Sequence, residues 1–495
     1  MPPFKLRSLA RGTRARAPRA VRSPGPTARF AAAATALALA VVGYTPAFPA
    51  QAAATRAQVW ITTPDGGRKL ARAEDAPFGS ARRGTAIDVD AGRPRQRFTG
   101  MGGSLTEASA HLIARLPEDT REALLHDLFS ADGDGIGLDF LRQPFGGTDF
   151  VAHLPYYSYE DFPGLFSIDR DKREILPLLR RARAINPGLT VMASPWTAPG
   201  WMKDSGSLGG GDLKPDHYAD YADYLVEAVE AYRDEGVPVD YLTVANEPLF
   251  ETLYPSMGMS SGEQVRLFRL LDEKLTAAGL GTRLLAFDHN WNHAEYALDV
   301  LRRTAGIGRV AGASFHCYGG EPERQRDLLR AGERVLFTEC STTDGHDGAQ
   351  DFAEALRWQT RNLVIRPLRE GSETVVLWNL ALDPDGRPGF GWCRDCNGVV
   401  EIDGSSVRRN TEYYALGHVS KFVRPGAHRI ASTVRGPAGL ENVTFENPDG
   451  TRVSVVLNAD DTGRTFSVTD DGRSFSYRLP AGSVATFTWP GVPAH

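Results

Sequence analysis

The chain has 495 residues, 42% of them hydrophobic and 24% charged, too long for one small domain and too apolar for a disordered chain. Eight of its 56 Lys and Arg (Lys5, Arg7, Arg11, Arg14, Arg16, Arg19, Arg22 and Arg29) fall in the first thirty residues without one acid. Taking those eight from 56 leaves 48 cations against 61 acids, a net charge near −13 instead of −5, which argues against nucleic acid or an anionic membrane surface as partner.

In chain order, the basic stretch runs into an apolar block from Phe30 to Val42 and then Ala50-Gln51-Ala52. This order reads as a secretory signal over residues 1–52, its core too short for a stable membrane anchor, so a secreted, extracellular protein is expected. A mitochondrial-type presequence would also be Arg-rich and acid-free, but the Ala/Leu/Val block argues against it. Gln58 to Thr63 is strand-like, and residues 53–97 are expected to join a β-module completed by the C-terminus.

Residues 98–402 alternate strand and helix. Candidate strands are Phe98 to Leu105, Gly137 to Pro144, Leu189 to Ser194, Val239 to Ala245, Arg283 to Asp288, Val310 to His316, Arg334 to Thr338 and Thr374 to Asn379. Eight units of about 35 residues fit an α/β protein built on a (β/α)8 TIM barrel. The clearest helix is Asp216 to Glu235, where Tyr221, Leu225, Val229 and Tyr232 recur at helical steps before Gly236. Gly209-Gly210-Gly211 reads as a flexible loop. From 403 to 495 the pattern turns to short alternating strands, such as Arg452 to Leu457 and Ser483 to Trp489, separated by Asn/Asp/Gly turns, as in an antiparallel β-sandwich.

Four cysteines remain to be placed. Cys393 and Cys396 are spaced to close a small disulfide in an oxidising compartment. Cys317 and Cys340 are isolated, which fits buried thiols or partners on adjacent strands better than metal ligands.

Reactive groups of such barrels sit at the C-terminal ends of strands. Glu247 follows Val244-Ala245-Asn246 and Glu339 follows Leu336-Phe337-Thr338, at the ends of the fourth and seventh candidate strands. Two facing carboxylates can cleave a glycosidic bond, and their separation decides whether a covalent intermediate forms.

Phe98 to Glu107 (FTGMGGSLTE), Ser194 to Lys203 (SPWTAPGWMK), Thr243 to Pro248 (TVANEP) and Trp378 to Asp383 (WNLALD) together resemble glycoside hydrolase family 30, the glucosylceramidase family, over nearly the whole mature chain. The resemblance implies a barrel joined to a sandwich built from both chain ends, no cofactor or metal, and retention of configuration. It makes Glu247 the acid/base and Glu339 the nucleophile. Asn246 would bond the sugar 2-hydroxyl, Arg142 would keep Glu339 ionised, and Asp149 would accept from sugar hydroxyls. Trp196 and Trp378 would line the sugar site, and Tyr318 would contact the nucleophile, with His316 facing the same pocket. Read singly, each has a plainer role: a salt bridge for Arg142, a turn or cap for Asp149, strand-end order for Asn246, and packing for the tryptophans, His316 and Tyr318. Glu339 is expected to raise the pKa of Glu247.

Cys317, where some relatives carry an aromatic, and Arg394-Asp395-Cys396 in the rim loop depart from the family pattern. The expected partner is a carbohydrate or glycolipid, in a glucosylceramidase-like reaction at a β-glucosyl linkage; endo-β-1,6-glucanase and β-1,6-galactanase are the alternatives within the family. A non-catalytic carbohydrate-binding protein would keep the pocket, yet both glutamates are present. A metal-dependent hydrolase could recruit His289, His293, His316 and Glu339, but the two histidines four apart flank Asn-Trp-Asn just after a strand, which reads as loop.

Overall fold

The computed structural model describes residues 55–79, 82–343, 352–391, 393, 395–435 and 439–491. The leader segment 1–52 and Arg394 of the rim loop lie outside the described residues.

Eight parallel strands form the barrel: β1 (Gly100–Ser104), β2 (Phe140–Phe145), β3 (Thr190–Pro195), β4 (Tyr241–Leu242), β5 (Arg283–Asn290), β6 (Val310–His316), β7 (Val335–Glu339) and β8 (Thr374–Leu377). From β1 to β7 each pairs with the next in sequence, and β8 pairs with β1, Thr374 opposite Gly100. Between β7 and β8 the ring closes through Glu373 N–H to the Val335 carbonyl, 2.8 Å, and Thr374 Oγ1 to the Phe337 carbonyl, 2.9 Å. The glycines of β1 permit its close approach to β2, since a Cβ at Gly102 would overlap the Phe140 carbonyl.

Alternation along the strands then fixes what lies inside. Phe140, Met192, Tyr241, Leu285, Ala311, Leu336 and Val376, one from each of β2 to β8, form an apolar plug. Two residues further along the same strands stand Arg142, Ser194, Thr243, Thr338 and Trp378, because period-two geometry returns the side chain to the same face. A polar layer therefore sits directly above the plug, at the C-terminal mouth.

The helix expected over Asp216 to Glu235 is Tyr218–Asp234, preceded by the 3-10 turn Pro215–His217 and stopped by Gly236 at φ 81°. Tyr221, Leu225, Val229 and Tyr232 are buried, so their stripe is core.

The hairpin of Gly398–Asp403 with Ser406–Arg409 spans residue 403, the helix Thr411–Ser420 follows it, and the C-terminal sandwich strands begin at His428. The sandwich strand Val484–Pro490 takes Arg56–Thr62 as an antiparallel neighbour, Val59 opposite Phe487, so both chain ends share one module. Val59, Ile61, Ile87, Val456, Phe466, Phe475, Phe487 and Trp489 form its core. His418 ties it to the barrel, with Thr62 Oγ1 and Thr486 Oγ1 each 2.8 Å from a ring nitrogen.

All four cysteines are paired, as Cys317–Cys340 and Cys393–Cys396. Among the described residues no helix is long and apolar enough to cross a membrane.

Candidate active site

A pocket of about 840 Å³ opens at the barrel mouth, lined among others by Asp149, Trp196, Glu247, His289, Tyr318, Glu339 and Trp378. Glu339 is the last residue of β7. A bulge before it pairs Phe315 with Phe337 but His316 with Glu339, so Thr338 is the extra residue and both it and Glu339 turn inward. Glu247 lies five residues beyond the short β4. Its N–H donates to the Asp288 carbonyl at 2.9 Å, and its φ of 45° is left-handed.

One oxygen each of Glu247 and Glu339 and one nitrogen of His316 lie within 4.8 Å of one another. That is the narrow carboxylate spacing, of about 5 Å, at which one group can attack the sugar while the other protonates the leaving oxygen; an inverting pair needs about 6.5–9.5 Å to admit water.

Beneath them lies a buried ionic network. Arg142, fully buried, donates to Glu339 Oε2 at 2.5 Å, Asn246 Oδ1 at 2.6 Å, Asp288 Oδ2 at 2.9 Å and Ser194 Oγ at 3.1 Å. A guanidinium only donates, which fixes Oδ1 as the side of Asn246 facing it and leaves the amide N–H groups to offer a sugar hydroxyl. Tyr318 donates to Glu339 Oε1 at 3.0 Å, so both nucleophile-side oxygens are engaged. Ser194, Thr243 and Thr338 all donate to Asp288.

His316 sets one ring nitrogen 2.9 Å from Glu247 Oε1 and the other 3.1 Å from Asp288 Oδ1. Burial would push its pKa down, but Glu339, Asp288 and Glu247 outweigh that and push it up to about 9. His316 is therefore an imidazolium donating from both nitrogens. Expected as a sugar-facing residue, it is instead fully buried behind the carboxylates, as is Arg142.

The expectation of a raised pKa for Glu247 is overturned. Burial pushes it up, but the hydrogen bond and charge of His316, with His289 and Arg142, hold it below the ordinary carboxylate value. Glu339 moves the other way: burial, Glu247 and Asp288 raise it against the pull of His316 and Arg142. His316 thus directs a ring N–H at Glu247 Oε1 across the 2.9 Å bond.

Trp196 and Trp378 stack at 5.1 Å and 19° on one wall. Asp149 beside them is held well above its usual range by burial, Glu339 and Glu247, and its Oδ1 has no partner. Trp196 Nε1 is likewise unpaired. Cys393 and Cys396 complete that wall.

The barrel sequence, residues 98–423, matches the glycosyl hydrolase family 30 TIM-barrel domain, and residues 426–487 match the family 30 beta sandwich domain. The chain belongs to glycosyl hydrolase family 30. It is similar to endo-1,6-beta-D-glucanase neg1 of Aspergillus fumigatus, 28% identical over 82% of this chain and 88% of that one. Similarity to the lysosomal acid glucosylceramidase of Mus musculus is 29% over 80% and 81%. A solved endo-β1,6-glucanase superposes with a TM-score of 0.82 at 32% identity, covering 88% of this chain and 99% of that one. The family 30 chain is accordingly a retaining glycoside hydrolase.

In this family 30 hydrolase both ring nitrogens of His316 are taken up by carboxylates, Glu247 Oε1 at 2.9 Å and Asp288 Oδ1 at 3.1 Å. His293 is remote from the cluster in its bonding, facing Glu295 at 3.3 Å.

Sequence reasoning missed Asp288 as the anchor of the network and used His289 only as a metal ligand. Both follow the apolar run Leu284-Leu285-Ala286-Phe287, so the strand-end rule applied to the glutamates would have found them. The Gly209 to Gly211 loop is pinned rather than free: buried Lys203 donates to the carbonyls of Gly210 at 2.6 Å, Ser256 at 2.7 Å and Leu208 at 3.0 Å.

A pH test follows from His316. Its folded pKa of about 9 lies above the free value of 6.5, so its stability contribution is whole below pH 6.5 and is lost as pH rises through about 9. In His316→Asn the thermal midpoint is expected to fall less over that window than in the wild type. Asp139, raised to about 8 by burial, acts in the same sense but is common to both proteins. Equal slopes would refute the assignment.

Proposed function

We propose that the chain is an exported enzyme cleaving β-glucosyl linkages by double displacement, with β-1,6-linked glucan as its substrate. The observation carrying the mechanism is the close pair Glu247 and Glu339, the second held by Arg142 and Tyr318. Glu339 attacks the anomeric carbon while Glu247 protonates the departing oxygen, using the proton held in its bond to His316. Glu247, again a carboxylate, then takes a proton from water, which displaces Glu339 from the sugar. Asp149, Trp196, Trp378 and Asn246 hold the sugar. The β-1,6 linkage is supported by the likeness to endo-1,6-glucanases, and export by two disulfides in a chain with a basic-apolar leader.

A glucosylceramide substrate is the second reading, favoured by the apolar rim after β4, where Leu249 and Phe250 are exposed and Leu253 is 93% exposed. Product analysis on β-1,6-glucan, glucosylceramide, β-1,6-galactan and xylan in parallel decides. Glucose oligomers from β-1,6-glucan are expected; release of ceramide without attack on the glucan would replace the first reading by the second, and hydrolysis of xylan alone would sink both.

A further inference from the structure

The geometry points to the Cys317–Cys340 disulfide as a positioning pair for the nucleophile, a covalent continuation of the β6–β7 ladder at the point where its hydrogen bonds stop. The last paired residues of those strands are His316 and Glu339, and the bulge at Thr338 has already broken the register just before them. The next residue on each strand is a cysteine, and the two are joined, their Cα atoms 5.3 Å apart. Each sulfur is therefore one residue from a group that acts in the site: Cys317 stands between His316 and Tyr318, and Cys340 between Glu339 and Ser341.

The crosslink bears on Glu339 from two sides. Tyr318 lies at the start of an exposed loop, and its hydroxyl reaches Glu339 Oε1 at 3.0 Å and Ser341 Oγ at 3.3 Å. The Tyr318 N–H anchors that loop to Asn290 Oδ1 on β5 at 2.9 Å, whereas to the nucleophile's strand it is held by the Tyr318 hydroxyl and, covalently, by the adjoining disulfide. Cys340 in turn accepts from Trp378 N–H at 2.9 Å through its carbonyl, so the same residue couples the end of β8 to the crosslink. Cys340 is buried and Cys317 partly exposed, which leaves one sulfur open to attack by a reductant.

The pair acts through Tyr318 and Glu339 on the attack step; its one tie to the sugar-holding wall of Asp149, Trp196 and Trp378 is the backbone bond from Trp378 N–H to the Cys340 carbonyl, which a change of the cysteine side chains leaves in place. The inference rests on the hydrolytic reading of the site but not on the choice of sugar, so the assay uses whichever glycan the wild type turns over.

The test has two arms. In the first, Cys317→Ala/Cys340→Ala is compared with the wild type for kcat, KM and the rate of inactivation by a 2-deoxy-2-fluoroglycosyl fluoride, which reads attack by Glu339 directly. A misplacement of this kind lowers kcat on the order of tenfold to a hundredfold, with KM within about twofold and inactivation slowed by the same factor as kcat. Tyr318→Phe should then cost less in the disulfide-free protein than in the wild type, since both act on one carboxylate.

The second arm keeps the argument testable if the double variant does not fold. Wild-type enzyme is reduced with a water-soluble phosphine; each disulfide becomes two thiols, water supplies the oxygen and protons, and the phosphine leaves as its oxide. Differential alkylation then reports which pair has opened. Activity is expected to fall with the opening of Cys317–Cys340 while circular dichroism is unchanged. Full kcat with that pair open, or a loss confined to KM, overturns the proposal.

Discussion

Glu339→Ala is expected to lower kcat by about four to six orders of magnitude, the range seen when a covalent nucleophile is removed, with the fold intact. The variant keeps Glu247, Arg142 and the sugar-binding wall, so what it loses is the attacking oxygen. Azide at high concentration can occupy the vacated space on that face and attack the anomeric carbon, giving a glycosyl azide of inverted configuration. Glu247→Ala should respond differently: substrates with good leaving groups still glycosylate Glu339, and azide releases the sugar with retained configuration. Chromatography and NMR of the two azides check the assignment. Exchanged configurations would exchange the roles of Glu247 and Glu339.

What was legible in the sequence follows one rule. Apolar strand segments end in the residues that do chemistry, and this exposed Glu247 and Glu339, whereas Arg142 came only with the family resemblance. Period two would have carried the reading further, since Ser194, Thr243, Thr338 and Trp378 each stand two residues past a plug residue of their own strand. The rule breaks on β5. Two past Leu285 is Phe287, but Phe287 and Asp288 take φ of 78° and 68°, and this left-handed kink turns consecutive residues Asp288 and His289 to the mouth. Left-handed backbone at non-glycine residues is costly, about 1–3 kcal/mol each, and no local sequence preference announces it. Glu247, at φ 45°, is a third such residue in the same site. The ionic network was also illegible, because it depends on how Asp288 reaches both Arg142 and His316. The cysteine pairing needed the register of β6 against β7, which the bulge at Thr338 had shifted.

Arg142→Met is expected to cost about 3–5 kcal/mol of stability, the usual penalty for removing one partner of a buried ionic pair, and to lower kcat on the order of a hundredfold or more by freeing Glu339. The guanidinium is fully buried and reaches Glu339, Asp288, Asn246 and Ser194 at once; a lysine ammonium cannot span that fork, so Arg142→Lys should recover little. The pH dependence separates lost charge from lost packing. In the wild type burial raises Asp288, but Arg142 and His316 hold it well below 3.8. Its stability contribution is therefore present above pH 3.8 and lost only as pH falls through the lower folded value. Without Arg142 the largest opposing charge is gone, Asp288 rises, and ionising it inside the barrel opposes folding. The gap in thermal midpoint between wild type and Arg142→Met should accordingly be widest near neutral pH and narrow in acid. Adding Asp288→Asn to Arg142→Met should return part of the loss, because the stranded charge goes with it. A gap that stays constant with pH, and a double variant no more stable than the single, would mean that Arg142 acts by filling space instead of by neutralising the two carboxylates.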